Sequence, residues 1–156
     1  MNNNFRSVGI LGTGSCLPEK VVSNHDLAKI VDTSHEWIVS RTGIHTRRIA
    51  DDNTATSDLA TEAAKIALER ANIKAEDLDL IIVATVTPDM NFPSTACIVQ
   101  SNIGAKNAAA FDLEAACSGF LYGVSIADQF IKTGAYDHVL VIGAETLSKI
   151  MNWNDR

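Results

Sequence analysis

Three features of the 156-residue sequence predict an α/β fold built on a largely parallel sheet. Apolar runs of strand length alternate with segments of helical period along the chain. The run "LDLIIVATVT", residues 78–87, is apolar on both faces, which suits a strand in the middle of a covered sheet. Directly before it, "TATSDLATEAAKIALERANI" sets Leu59, Ala63, Ile66, Ala67 and Ala71 at helical spacing.

At the N-terminus, "SVGILGTGSCLP" reads as a buried strand entering a glycine turn. Gly12, Thr13 and Gly14 invite comparison with a dinucleotide fingerprint, but the third glycine is absent and Pro18 stands where a phosphate-binding helix would begin. "VSNHDLAKIV" predicts a short helix capped near Ser23 or Asn24. "TSHEWIVSRTG" predicts another, capped at Thr33, with Glu36 completing a capping box and Gly43 closing it. "IHTRRIA" reads as a short strand. Beyond the central run, Pro93 opens a helix through "STACIVQSNIG", "AAAFDL" is a second buried strand, "SGFLYGVSIADQFIKTG" a long helix and "DHVLVIGAET" a final strand.

Composition narrows the function classes. A net charge of −6 argues against a broad nucleic-acid surface, although Arg41, Arg47 and Arg48 leave room for a small anionic ligand. No segment approaches a membrane span, and the N-terminal apolar run is too short and too broken by glycines for an export signal. Three cysteines without a C-x-x-C pair fit a reducing compartment, so a cytoplasmic location is expected.

Among those cysteines, Cys117 falls where the "AAAFDL" strand turns into the long helix. Unpaired N–H groups and the positive end of a helix dipole favour a thiolate there, the form that acts as a nucleophile. The following helix has no charged residue from Ser118 to Ala127, which predicts a buried helix needing cover on several sides. A free cysteine is also commonly a buried, inert apolar residue, and the position alone leaves both readings open. Cys97 reads as core packing within its helix, and Cys16 sits in a turn without a partner. His25, His35, His45 and His138 have no context that calls for catalysis, so a thiol-imidazole pair would take its histidine from elsewhere.

The motifs "GTGSCLP", "DTSHEWIVSRTGI", "LIIVATVTPDMNFPSTAC", "AFDLEAACSGF" and "NWNDR" together resemble the N-terminal half of the β-ketoacyl-acyl carrier protein synthase III family, over essentially all 156 residues. The resemblance implies a thiolase-like fold, whose half is a βαβαβαββ core with a mostly parallel, mixed five-stranded sheet and helices on both faces. It implies a homodimer acting in fatty acid biosynthesis. It also implies an acyltransferase that condenses acyl-coenzyme A, commonly acetyl, with malonyl-acyl carrier protein through an acyl-cysteine.

Carried over residue by residue, the resemblance makes Cys117 the nucleophile. Thr33, Trp37, Arg41 and Arg156 match positions that hold the adenine end of coenzyme A. Phe92 matches a position whose ring reaches across the dimer to wall the acyl pocket of the other subunit, and Leu147 matches a position that lines the pocket. Spacing alone lets Trp37 and Arg41 share one helix face, which is equally the pattern of a tryptophan packed in a core; Phe92 by itself reads as a loop anchor. No metal and no resident cofactor are implied, since coenzyme A enters as the substrate thioester. Family members are about twice this length and place a catalytic histidine and asparagine in their second half, so residues 1–156 are expected to be a half-site. Two alternatives stand beside this reading: a thiolase-fold synthase of the hydroxymethylglutaryl-coenzyme A type, and a non-catalytic half serving dimerisation or binding.

Overall fold

The structure, a computed structural model, describes residues 5–153 and 155. Along the chain run β1 (Val21–Ser23), α1 (Asn24–Leu27), α2 (His35–Thr42), β2 (Thr46–Arg48), α3 (Thr56–Ala71), β3 (Leu80–Ala84), α4 (Thr95–Ile103), β4 (Ala109–Leu113), α5 (Gly119–Lys132) and β5 (Val139–Gly143), with three short 3-10 turns between or after them. They fall into two units, one of Met1–Cys16 with Thr56–Glu145, the other of Leu17–Ala55 with Thr146–Arg156.

In the first unit β3 is the centre of a three-stranded parallel sheet in the order β4-β3-β5. All five residues of β3 are buried, as its two-faced apolar pattern predicts. The two-residue period of a strand then assigns its neighbours. Ile81 and Val83 join Leu140, Ile142, Ala60, Ala64, Ala96 and Val99 in one apolar cluster, which puts α3 and α4 on that face. Ile82 and Ala84 face α5 on the other side, through Gly123 and Gly119. Each fully buried branched side chain of this set contributes about 1.5–3 kcal/mol.

Carboxylates fix the ends of these elements. Asp112 of β4 accepts hydrogen bonds from the N–H groups of Thr95 and Ala96, each at 2.7 Å, while the Ser94 hydroxyl accepts from Cys97 N–H, so two side chains cap α4. Asp79 accepts from the N–H groups of Asp137 and His138 at 2.8 and 3.0 Å, tying the start of β5 to that of β3. The His138 N–H is the main reason its carboxyl lies below the ordinary range.

Two expectations about the sheet are corrected. It has three strands among the described residues rather than five, and β4 is at its edge. The segment "SVGILGTGSCLP", expected as a buried strand, forms none, and it leaves Ile10 83 % and Leu11 63 % exposed. The segment is held by its glycines instead. A Cβ on Gly12 would stand 2.4 Å from the Ala67 carbonyl oxygen and one on Gly14 2.1 Å from that of Ala63, so only glycine lets this backbone lie on α3. Arg70 secures the contact by donating to the Thr13 carbonyl at 2.9 Å. The predicted face of α3, Leu59, Ala63, Ile66, Ala67 and Ala71, is accordingly half-buried, while Thr56, Ser57, Ala60, Thr61 and Ala64 are the residues it buries completely.

The second unit pairs β1 and β2 antiparallel, Val21 opposite Arg48. Ser23 caps α1 in a box with Asp26, whose carboxyl is pulled well below its usual range first by the Ser23 hydroxyl. Gly43 ends α2 at φ +69°, as predicted, but the N-cap is Ser34, whose hydroxyl accepts from Trp37 N–H, and not Thr33. Asn24 is fully buried at the centre: its amide donates to the Ile44 carbonyl at 2.8 Å, its carbonyl accepts from Arg47 at 2.5 Å, and its N–H donates to the His45 carbonyl.

Two outcomes follow for this packing. Gly14→Ala is expected to lower stability in chemical denaturation by at least about 1–3 kcal/mol, the usual cost of overpacking, whereas Gly9→Ala, with nothing within 4 Å of the added methyl, is expected to change it little. Because the Asp79 carboxyl is depressed in the fold, its contribution is complete above the ordinary carboxylate range and fades as pH falls through the folded value. Asp79→Asn should therefore flatten the loss of stability below about pH 4 in acid titrations followed by circular dichroism.

Candidate functional site

Parallel pairing brings the carboxyl ends of β4, β3 and β5 side by side, with Leu113 and Gly143 both in register with Ala84. In open parallel sheets this is the end at which ligands bind. Cys117 sits four residues beyond Leu113, in the 3-10 turn Ala116–Ser118 that leads directly into α5. Its side chain is exposed.

The residue before it is strained. Ala116 has φ +44°, a left-handed conformation that costs a residue with a Cβ about 1–2 kcal/mol. Such strain in a turn persists where the surrounding structure fixes it, and it gathers at functional sites. Here the turn is closed by Ser118 N–H donating to the Ala115 carbonyl at 3.1 Å and by Gly119 N–H donating to that of Ala116. It is held against the sheet by Gly119, where an added Cβ would meet Ala84 Cβ at 3.0 Å. Gly123 continues the close approach, with Val141 Cγ1 2.8 Å from the position of an added Cβ.

Among the described residues the helix α5 is covered on one side only, which leaves open the further cover that its uncharged sequence calls for. Gly119, Gly123 and Ala127 are its buried residues, and Phe120, Leu121, Tyr122 and Val124 are 39–65 % exposed. Its small residues are on the sheet side, Phe120 also lies against Gly143 of β5, and Leu121, Tyr122 and Val124 face outward. Two shallow depressions in this unit, one lined by Asp58, Thr61, Glu62, Lys65 and Asn102 and one by Ser125, Ile126, Gln129, Phe130 and Thr133, do not include Cys117.

Among the described residues of this unit no histidine lies near the thiol. The unit's one histidine, His138, immediately precedes β5, at the opposite end of the sheet from Cys117, and its Nδ1 is 3.1 Å from the Asp77 carbonyl. Five residues of strand separate the two ends by about 16 Å. Cys97 lies in α4 with Sγ 3.8 Å from the Ala110 carbonyl, consistent with packing. Phe92, in the segment between β3 and α4, is 88 % exposed and precedes a cis peptide bond to Pro93.

In the second unit, Trp37 and Arg41 do share one face of α2. The Arg41 guanidinium carbon lies 4.5 Å from the centre of the indole ring, a cation-π stack on a tryptophan that is 37 % exposed. Just before this helix, the Thr33 hydroxyl is buried without a hydrogen-bond partner. The orphaned hydroxyl and the exposed Trp-Arg stack both belong to the segment 33–41. Leu147 opens the turn Leu147–Lys149 and is 49 % exposed. Arg156 lies outside the described residues.

Sequence reasoning missed three arrangements. His25, His35 and His45, scattered over twenty residues, come together with ring centres 4.9 and 5.5 Å apart. Asn24 holds its amide toward His35 Nδ1 at 3.4 Å, and because its carbonyl is taken by Arg47, that nitrogen is the acceptor. Among the described residues no set of His, Cys, Asp or Glu side chains is arranged to hold a metal ion. The left-handed Ala116 had no local signal, since alanine does not advertise a positive φ. A carboxylate at residue 145 that organises the carboxyl end of β3 was also unforeseen; it depends on a contact 59 residues distant in sequence.

Comparison with known proteins bears on both units. Residues 111–156 match the family profile described as 3-oxoacyl-[acyl-carrier-protein (ACP)] synthase III. The chain is 73 % identical over 150 residues to a β-ketoacyl-[acyl-carrier-protein] synthase III of Caldanaerobacter subterraneus subsp. tengcongensis, covering 96 % of this chain and 45 % of that protein. The crystal structure of the 3-oxoacyl-[acyl-carrier-protein] synthase III of Aquifex aeolicus superposes with a TM-score of 0.93 at 57 % identity, over 96 % of this chain and 48 % of that one. The priming β-ketosynthase of the R1128 polyketide biosynthetic pathway superposes with a TM-score of 0.95 at 36 % identity, over 98 % of this chain and 46 % of that one. The chain thus resembles the N-terminal half of these synthases and has their α/β, thiolase-like architecture. It spans about half the length of the curated relatives it matches.

Relief of strain at Ala116 is measurable. Ala116→Gly should raise stability by up to about 1 kcal/mol, and Ala116→Val, whose branched side chain tolerates a positive φ worse, should lower it by more than that, both read from denaturant midpoints.

Proposed function

We propose that this chain is the cysteine-bearing half of an acyltransferase that starts fatty acid synthesis by condensing an acyl group from coenzyme A with malonyl-acyl carrier protein. The observation that carries the reading is Cys117: an exposed thiol, next to a left-handed alanine, at the carboxyl ends of parallel strands. The similarity to synthases of this name, spread over nearly the whole chain, supports it.

In this proposal the Cys117 thiolate attacks the carbonyl carbon of an acyl-coenzyme A. The new carbon–sulfur bond forms as the bond to coenzyme A breaks, and the departing thiolate takes up the proton that Cys117 gave. A thioester replaces a thioester, so the acyl group remains reactive toward carbon. Malonyl-acyl carrier protein then loses carbon dioxide, and the electron pair of the broken carbon–carbon bond attacks the acyl carbon. The β-ketoacyl product leaves and the Cys117 thiolate is restored. Donors aimed at the developing oxyanions are worth about a hundredfold or more in rate apiece, and a histidine and an asparagine from a second half fill that role in the proposed enzyme.

Trp37, Arg41 and Thr33 are proposed to hold the adenine end of coenzyme A. The base stacks against the indole, the guanidinium faces phosphate, and the orphaned Thr33 hydroxyl gains a partner. Arg156 is proposed to close on the same base. Phe92 and Leu147 are proposed to line the acyl pocket in a homodimer, for which the exposure of Phe92 is the supporting feature. The substrate thioester brings all the chemistry needed, with no resident metal or cofactor, and the proposed setting is the cytoplasm. No helix among the described residues is long and apolar enough to cross a membrane.

The reading is tested by grafting residues 1–156 onto the second half of the Caldanaerobacter relative. The chimera should release carbon dioxide from malonyl-acyl carrier protein when acetyl-coenzyme A is present, and residues 1–156 alone should not. Trp37→Ala and Arg41→Ala in the chimera should each weaken coenzyme A binding in calorimetry by about 1–2 kcal/mol, roughly five- to thirtyfold in Kd. Unchanged affinity in both variants would remove the ligand from α2, and turnover by residues 1–156 alone would overturn the half-site.

A further inference from the structure

The carboxyl end of the sheet carries a second organised feature besides Cys117. Glu145, two residues beyond β5, gathers donors from three consecutive residues that follow β3. Val86 N–H donates to Oε1 at 2.9 Å, the Thr85 hydroxyl donates to Oε2 at 3.3 Å, and the Thr87 hydroxyl donates to the same oxygen. Thr85 and Thr87 are both buried, and Thr87 N–H donates in turn to the Thr85 hydroxyl at 3.1 Å.

A second set of bonds lies just beyond. The Thr56 hydroxyl donates to the Thr87 carbonyl at 2.6 Å, and Asp89 accepts from Ser57 N–H at 2.9 Å and from the Ser57 hydroxyl at 2.5 Å. Residues 85–89 are therefore fastened twice, to the end of β5 by Glu145 and to the start of α3 by Thr56 and Ser57. Phe92 follows three residues after the second fastening. Ala84, immediately before the first, is the residue against which Gly119 packs in the turn of Cys117.

The donor count explains the carboxylate. All three neighbours of Glu145 donate, so both of its oxygens accept, and the negative charge strengthens each bond. An amide in its place would keep one acceptor and turn an N–H₂ group toward the threonine hydroxyls. Without any acceptor, Val86 N–H and two buried hydroxyls would lose their partner, which is costly in a buried turn.

We propose that Glu145 is a positioning residue: by fixing Thr85, Val86 and Thr87 it sets the path of the chain to Phe92, and so controls which acyl groups reach Cys117. This rests on the acyl-transfer reading above. The carboxylate itself touches no reacting atom; it acts through the segment it holds. Ala84, on which Gly119 packs, is held within β3 by its pairing to Leu113 and Gly143 and not by Glu145, so a change at residue 145 alters acyl preference without altering the thiol.

Two measurements decide it. In the 156-residue chain, amide hydrogen exchange at Val86 and Thr87 should accelerate about tenfold or more in Glu145→Ala while Ile82 in the core is unaffected, and Glu145→Gln should fall between Glu145→Ala and the parent. In the chimera, Glu145→Ala should shift the ratio of kcat/KM for acetyl-coenzyme A over a longer acyl-coenzyme A by about fivefold or more, with iodoacetamide still alkylating Cys117 at the parent rate. Should Glu145→Ala fail to fold, Thr87→Val removes one donor at similar volume and should shift the ratio in the same direction. Faster exchange with an unchanged ratio overturns the proposal and leaves Glu145 a purely structural residue, and unchanged exchange overturns it as well. A parent chimera without acyl transfer removes the acyl-transfer reading and this inference with it, whereas an active chimera with an unaltered ratio removes only the inference.

Discussion

Burial of β3 on both faces is the constraint on which the first unit depends. Five successive apolar residues cannot alternate between core and water, so Leu80–Ala84 requires a layer on each side and a strand on each edge. α3 and α4 cover Ile81 and Val83; α5 covers Ile82 and Ala84. Because the strands are parallel, every chain reversal after a strand lies at one end, and Cys117, Thr85 and Glu145 are all delivered there. The site is a consequence of strand direction before it is a matter of individual side chains.

The close seating of α5 supplies the rest. Gly119 and Gly123 bring its backbone onto the sheet so closely that an added Cβ would stand 3.0 Å from Ala84 Cβ and 2.8 Å from Val141 Cγ1. The helix can begin this close to the sheet only if the chain turns sharply between Leu113 and Gly119, and the left-handed Ala116 is where that turn is made. A strained residue next to an exposed thiol is hard to account for as packing, since stability alone would favour glycine at that position. On the outward side of α5, Leu121, Tyr122 and Val124 form an apolar surface, while Phe120 rests against Gly143 of β5. In the proposed complete enzyme this is the side available to the second half.

Much of this was legible in the sequence where the determinant is local. Ser23 at the start of α1, Gly43 at the end of α2, and the double-faced run of β3 act through neighbours within a turn or along one strand, so pattern alone finds them. The cap of α2 was misassigned by one residue because Thr33 and Ser34 are chemically equivalent candidates, and only the fold frees one hydroxyl for Trp37 N–H. Small residues in α5 signalled close approach correctly, and the described residues cover the helix on one side. Gly12 and Gly14 were read as a turn when their purpose is to pass under α3. The Glu145 clamp and the three histidines around Asn24 were out of reach, since each joins residues that only the tertiary fold makes neighbours.

The central claim is that Cys117 is the residue that takes the acyl group, and mass spectrometry of peptides from the chimera after incubation with acetyl-coenzyme A tests it most directly. The account predicts one acetyl group, removable by hydroxylamine as a thioester should be, on the peptide containing Cys117 and none on those containing Cys16 or Cys97. Acetylation spread evenly over the three cysteines, or absent from Cys117 in a folded protein that binds coenzyme A, would contradict it.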